Sequence, residues 1–176
     1  MDRGTVYKVI EKEREYQNGK WPRDNHPLIK QYAYAAPHLL LLEEYATKAR
    51  ALWTKSQDEV GVLKTIAKMA TIAFRALEEI VDKSGHFMTQ HEIISAVSAE
   101  QDYQDGRCWR TEGMAGQYKF SAPHLLLVEN RIYLARSNWI CENQGATLNS
   151  FVKVAAVLVR ALEEIDGPNL LFTGLR

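Results

Sequence analysis

The sequence predicts an all-α fold: a tandem repeat of a three-helix unit, packed as a pseudo-twofold helical bundle. Three observations carry that prediction. First, Ala36-Pro37-His38-Leu39-Leu40-Leu41-Leu42-Glu43 returns 86 residues later as Ala122-Pro123-His124-Leu125-Leu126-Leu127-Val128-Glu129. The match continues through Tyr32 and Tyr118, Ala49 and Ala135, Arg50 and Arg136, and Trp53 and Trp139. Upstream, Glu13, Tyr16, Gln17, Gly19, Lys20 and Trp21 answer to Glu100, Tyr103, Gln104, Gly106, Arg107 and Trp109; downstream, Arg75-Ala76-Leu77-Glu78-Glu79-Ile80 answers to Arg160-Ala161-Leu162-Glu163-Glu164-Ile165. The offset drifts between 85 and 87 residues, with one further residue inserted before Trp109, and slips of that size belong in loops. Second, apolar residues recur at helical spacing through each unit. Third, no segment alternates apolar and polar residues as a half-buried strand would.

In chain order, the first helix covers about Thr5 to Asn18, with Val6, Val9, Ile10 and Tyr16 along one face and Gly19 placed to end it. Trp21 to Pro27, with two prolines, is a connecting loop. Pro37 suits the first turn of a second helix, where its missing N–H is no loss, and the helix continues through Leu39 to Trp53. Ser56 and Glu59 match a capping box that opens a third helix reaching about Asp82, with Ile66, Ala70, Phe74 and Leu77 on its inner face.

Lys83 to Met88 separates the halves. Residues 1–84 form the first repeat, and residues 85–176 form the second with its C-terminal tail, both within one compact domain. Thr89 and Glu92 make another capping box for a fourth helix, about Gln90 to Asp105, with Gly106 standing where Gly19 stood. Ser121 caps a fifth helix that carries Pro123 in its first turn and runs to about Cys141. A sixth covers about Thr147 to Asp166. The apolar residues of the segment 167–176 are expected to pack back onto the bundle.

Composition narrows the function classes. With 46% apolar and 25% charged residues in 176, the chain has ordinary globular composition. Its 22 basic and 22 acidic residues cancel, which removes a global electrostatic case for nucleic acid or anionic lipid. Cys108 and Cys141 do not match in the repeat and have no metal or redox spacing, so they are expected to be free buried or half-buried thiols in a reducing compartment. No apolar run reaches ~18 residues and no signal peptide opens the chain, so a cytoplasmic location is expected, with no membrane partner.

Matched polar residues are the candidates for function, because a duplicated core does not need them for packing. Tyr16, Gln17, Lys20 and Trp21, with Tyr103, Gln104, Arg107 and Trp109, place a hydroxyl, an amide, a cation and an aromatic face at the C-terminal ends of two helices. A nucleotide asks for that set. Arg50, Arg136, Lys68 and Lys153 are further phosphate candidates, which gives two related pockets where the ends of the first and fourth helices meet the second and fifth. For each residue the structural alternative is an ion pair or cap tying helices together, and for the tryptophans it is packing at the bundle ends. His38 and His124, directly after proline, suit partly buried side chains bonded to a neighbouring carbonyl or carboxylate.

Glu13-Arg14-x-Tyr16-Gln17-x-x-Lys20-Trp21, the helix Leu39 to Glu44, and the Ala-rich helix ending Arg75 to Ile80 resemble the MazG-like all-α nucleotide pyrophosphohydrolase group, particularly its small phage-encoded members. The resemblance implies magnesium-dependent hydrolysis of nucleoside triphosphates, with the metal held by Glu-x-x-Glu on one helix and Glu-x-x-Asp on the next. Carried onto this chain, those positions hold Glu44, Thr47, Thr65 and Lys68 in one half and Asn130, Tyr133, Ser150 and Lys153 in the other. An ammonium there repels a divalent cation. The expectation is therefore a non-catalytic, nucleotide-binding protein without catalytic or metal-binding residues and without a cofactor, in keeping with a phage protein that sequesters a nucleotide-derived defence signal in the host cytoplasm. Two alternatives stay open: an active magnesium-dependent pyrophosphohydrolase using Glu43, Glu44, Glu78 and Glu79, and a ligand-free protein-interaction module. Homo-oligomerisation is open as well.

Overall fold

The computed structural model describes residues 1–20, 31, 33–81, 85–106 and 116–165. Their long elements are α1 (Arg3–Lys20), α2 (Ala35–Ala51), α3 (Glu59–Glu79), α4 (Gln90–Gly106), α5 (Ser121–Ile140) and α6 (Gln144–Glu164), with a 3-10 turn at Gly116–Lys119 and a π-helical turn at Leu52–Ser56. No strand occurs among the described residues, so the chain is all-α, as the periodicity predicts. The expected loop at Trp21 to Pro27 and the tail 167–176 lie outside the described residues.

The centre of the molecule is set by α3 and α6, the two helices that bury the most residues. Ile66, Met69, Ala70, Ala73 and Leu77 on α3, and Phe151, Val154, Leu158 and Leu162 on α6, are fully buried. Each large side chain among them contributes about 1.5–3 kcal/mol by leaving water. Each helix keeps one polar stripe, with Lys68, Arg75 and Glu78 on α3 and Lys153, Arg160 and Glu163 on α6, and buries the rest of its circumference against its neighbours. By length and composition α6 would also pass for a membrane span, but 67% of its most apolar window is buried inside the bundle, as suits a core helix.

The packing order closes a ring. α2 lies against α3, α3 against α6, α6 against α5, and α5 against α2, while α1 and α4 cover the α3/α6 layer. Gln144 at the start of α6 donates to the Val81 carbonyl just past the end of α3, so the central pair is antiparallel. Two ion pairs cross the α2/α5 seam: Arg50 with Glu129, and Arg136 with Glu43 at 3.1 Å. Both fit one antiparallel register, which sets Leu40 level with Trp139 and Trp53 level with Leu126.

Helix ends follow the sequence in part. The Thr89–Glu92 box forms, with Thr89 N donating to Glu92 Oε2 at 2.7 Å and Glu92 N donating to Thr89 Oγ1 at 3.3 Å. The Thr89 N–H, together with the Thr89 hydroxyl donating to Glu92 Oε2 at 2.8 Å, holds the Glu92 carboxyl below its ordinary value. Gly85, between the halves, has φ +82, a conformation that suits glycine. Ser56 does not cap α3; Asp58 does, accepting from Gly61 N at 2.9 Å. Ser121 is not a cap either, because it is the buried first residue of α5, and the capping position falls to Phe120, whose side chain makes no capping bond. Cys141 is free but exposed in the turn after α5, contrary to the expectation of a buried thiol.

The register slip after the second and fifth helices also departs from expectation, because it is not in a loop. α5 ends in a Schellman-type cap: Glu142 N donates to Trp139 O at 2.9 Å, Asn143 N donates to Asn138 O at 3.0 Å, and Glu142 is left-handed at φ 55. After α2 the same cap is one residue wider. Gln57 N donates to Trp53 O and Asp58 N to Leu52 O, both at 3.2 Å, with Gln57 left-handed at φ 48. The extra residue between Trp53 and Asp58 is absorbed as the π-helical turn Leu52–Ser56, the usual way a helix accommodates a one-residue insertion.

Candidate functional site

The matched polar residues fall into three groups once the helices are packed. The first ties α1 and α4 to the centre. Arg14 pairs with Glu78 at 2.6 Å, and at the corresponding place Gln101 Nε2 donates to Glu163 Oε2 at 3.1 Å. Gln17 is buried and donates to Glu13 at 2.9 Å, while Gln104 is buried and donates to Glu100 at 2.8 Å. These two amides, expected to read a nucleotide, are spent on glutamates of their own helices. Arg160, the counterpart of Arg75, reaches Asp105 at 2.6 Å and donates to the Gln101 carbonyl at 3.0 Å, whereas Arg75 pairs with Glu79 at 3.2 Å.

The second group sits at the starts of α2 and α5. His38 Nε2 lies 3.3 Å from Glu79 Oε2, and His124 Nε2 lies 3.6 Å from Glu164 Oε2. His124 Nε2 also meets the Tyr118 carbonyl at 2.9 Å, and because a carbonyl only accepts, that nitrogen carries the hydrogen. Both rings are almost wholly buried, which fits the structural alternative for these histidines.

The third group is the α2/α5 seam. Arg50 and Arg136, both phosphate candidates, are exposed and already face Glu129 and Glu43. The hydrogen bond and charge of Glu129 hold Arg50 above its ordinary value.

Among the described residues, those expected to line the pockets are not brought together in this packing. Arg14 beside Glu78, and Tyr7 with its ring 6.0 Å from that of Phe74, run α1 toward the C-terminal end of α3. Tyr16, Gln17 and Lys20 lie beyond Arg14 in that direction, while Lys68 stands ten residues back from Glu78, about 15 Å along α3. Arg50 is level with the Lys68 half of α3, since α2 places His38 beside Glu79. α4 repeats the arrangement, with Gln101 on Glu163 and Lys153 ten residues back along α6. Tyr16 and Tyr103 are exposed, and Lys20 lies over the Tyr16 ring at 5.8 Å. Trp21, Arg107 and Trp109 are outside the described residues. Trp53 and Trp139 are 41% and 45% exposed at the helix ends, so neither is a sealed plug.

Lys68 and Lys153 remain. Both are half-buried on the central helices, and among the described residues neither makes an ion pair. Glu43 and Glu129, on the α2 and α5 helices that pack against α3 and α6, are held by arginines. The neighbouring hydroxyls are also committed. Thr65 Oγ1 donates to the Gly61 carbonyl at 2.7 Å, Ser150 Oγ to Ala146 O at 2.9 Å, and Thr47 Oγ1 to Glu43 O at 2.9 Å. Of the four acids that an active hydrolase would draw on, Glu43, Glu78 and Glu79 have cationic partners. Among the described residues no group of three or more His, Cys, Asp or Glu converges as a metal site.

Comparison of the chain with protein-family models, curated proteins and solved structures finds no significant match.

Proposed function

We propose that the chain is a non-catalytic helical protein that holds the phosphates of a nucleotide at Lys68 and Lys153, on a scaffold of two pseudo-twofold repeats. The observation carrying this reading is the pair of lysines itself. They occupy matched positions, they are half-buried, and they make no ion pair among the described residues, while the matched arginines that the structure describes have carboxylate partners. A partly desolvated ammonium without a counter-charge favours an anion. In the MazG-like group, which the sequence resembles, a carboxylate stands at this position and binds phosphate through magnesium; an ammonium would bind it directly. The reciprocal pairs Arg50–Glu129 and Arg136–Glu43 support the pseudo-twofold scaffold, since an isologous seam repeats each contact with the roles exchanged.

The test is titration of the full chain with nucleoside mono-, di- and triphosphates, with and without magnesium. Binding that does not need the metal, no release of pyrophosphate, and an affinity at least ~10-fold weaker in Lys68→Gln, Lys153→Gln are expected, as for one lost charge-assisted bond. At ligand near 100 times Kd the native state gains about 2.7 kcal/mol. Magnesium-dependent turnover, or affinity unchanged in the double variant, would reject this reading.

A further inference from the structure

The two seam helices bury the same matched positions, from Ala35 and Ser121 to Ala49 and Ala135, while their outer faces differ at several positions, and that difference has a direction. On α5, Leu126, Tyr133 and Ile140 fall seven residues apart on the side opposite the core and are 66%, 66% and 62% exposed. Asn130 and Ser137 lie between them, so the stripe carries no charge, and Leu134 flanks it. α2 presents the same positions as Leu40, Glu44, Thr47, Ala51 and Thr54, with Lys48 where Leu134 stands. α2 therefore shows what a solvated outer face looks like on this scaffold, and α5 departs from it by replacing threonine and lysine with tyrosine, isoleucine and leucine. Three large apolar residues in a row on a helix that already buries its other face are what an interface helix displays.

The stripe is complementary to itself when reversed. About Tyr133, apolar residues stand seven positions before and seven after, at Leu126 and Ile140, and the uncharged Asn130 and Ser137 lie between them, three before and four after. A second α5 laid antiparallel sets Leu126 against Ile140 and Tyr133 against Tyr133. That is the requirement of an isologous twofold contact. With Leu40 and Trp139, which the seam register sets level with each other, the exposed apolar surface comes to on the order of 700 Å² per chain, close to the ~800 Å² per partner of a standard interface.

We propose that the outer face of α5 binds a second copy of this chain, antiparallel about Tyr133, to form a homodimer. The interface lies on the α2/α5 layer and is independent of the lysine site, so either assignment can fail without the other.

Sedimentation of the full chain tests it. Wild type is expected to be a dimer at micromolar concentration. Grafting the α2 residues onto α5, Tyr133→Thr, Leu134→Lys and Ile140→Thr, is expected to weaken association at least ~100-fold with helicity unchanged. The graft uses residues that α2 already carries at these positions, which keeps the fold intact. With Cys108 and Cys141 replaced by serine, Tyr133→Cys should couple to its mate through a short bismaleimide, and Leu126→Cys should couple to Ile140→Cys rather than to itself. Three results would overturn the proposal: a wild-type monomer at about 100 μM, a graft that still dimerises, or Leu126→Cys coupling mainly to itself. So would a monomer that dimerises only after residues 167–176 are deleted, which would give the face to the chain's own C-terminal segment.

Discussion

Replacing Arg14 should separate what its charge contributes from what its hydrogen bond contributes, because the two halves solve the same problem differently. Arg14 meets Glu78 at 2.6 Å with both side chains more than four-fifths buried, while the corresponding Gln101 meets Glu163 at 3.1 Å without charge of its own. Arg14→Ala takes a guanidinium away from a largely desolvated carboxylate. Breaking a buried pair costs about 3–5 kcal/mol, and the residual exposure here places this one near the lower end, ~3 kcal/mol. Arg14→Gln keeps a donor for Glu78, as Gln101 does for Glu163. It also removes Arg14 Nε, a buried N–H with no hydrogen-bond partner among the described residues. Its expected cost is therefore only ~1 kcal/mol. For a chain of this size these become losses of about 6–12 °C and 2–4 °C in Tm. Urea unfolding with a shared m-value measures both. If Arg14→Gln proves as costly as Arg14→Ala, or if neither costs more than ~0.5 kcal/mol, the tie is not what holds α1 to α3.

Three further outcomes follow from the helix ends and the buried phenols. Glu142→Gly and Gln57→Gly should each stabilise the fold by about 0.5–1 kcal/mol, because both residues are left-handed with φ 55 and 48, and a higher urea midpoint for each would show it. Deleting Lys55 should convert the π-helical turn into the narrower cap that ends α5 and change stability by less than about 1 kcal/mol; a loss beyond ~3 kcal/mol would mean that the extra residue positions α2 on α3. Burial raises the Tyr7 phenol above its ordinary 10.0, against the pull of the Ser98 hydrogen bond, and burial raises Tyr45 as well. The native state holds these protons more tightly than the unfolded chain, so their contribution is complete below pH 10 and fades as pH rises through the raised native values. The alkaline fall in urea midpoint should accordingly be shallower in Tyr7→Phe than in wild type.

The six helices are legible in the sequence because a 3.6-residue period repeats over whole segments, and Thr89 with Glu92 is legible because both halves of its capping box are present. The caps of α3 and α6 are harder to read. Asp58 and Asn143 each cap a helix whose third residue is Gly61 or Ala146, so neither shows the paired acid or amide of the box, and Ser56 with Glu59 offers a false match two residues early. The π-helical turn is invisible for a different reason: an inserted residue has the same sequence signature whether it widens a loop or a helix.

The candidate site was legible as residues but not as partners. Internal comparison selects Arg50, Arg136, Gln17 and Gln104 because they persist in both halves, yet persistence follows equally from a tie that both halves need. Only packing tells that Glu129, Glu43, Glu13 and Glu100 stand beside them. Agreement between the halves therefore marks scaffold at least as often as function. Disagreement carries the other kind of information. α2 and α5 bury matched positions and form one seam, which places Thr47 and Tyr133, and Thr54 and Ile140, at corresponding sites on the outer face. Threonine at those sites on α2 shows that the scaffold does not need an apolar side chain there, and this contrast is what the proposed dimer contact of Tyr133 and Ile140 rests on. Their seven-residue spacing was present in the sequence from the start. What was missing was knowledge of which face the bundle leaves outside, and that is fixed by the antiparallel register of the two seam ion pairs together with the burial of Leu125, Val128, Ile132 and Ala135 on the opposite side of α5.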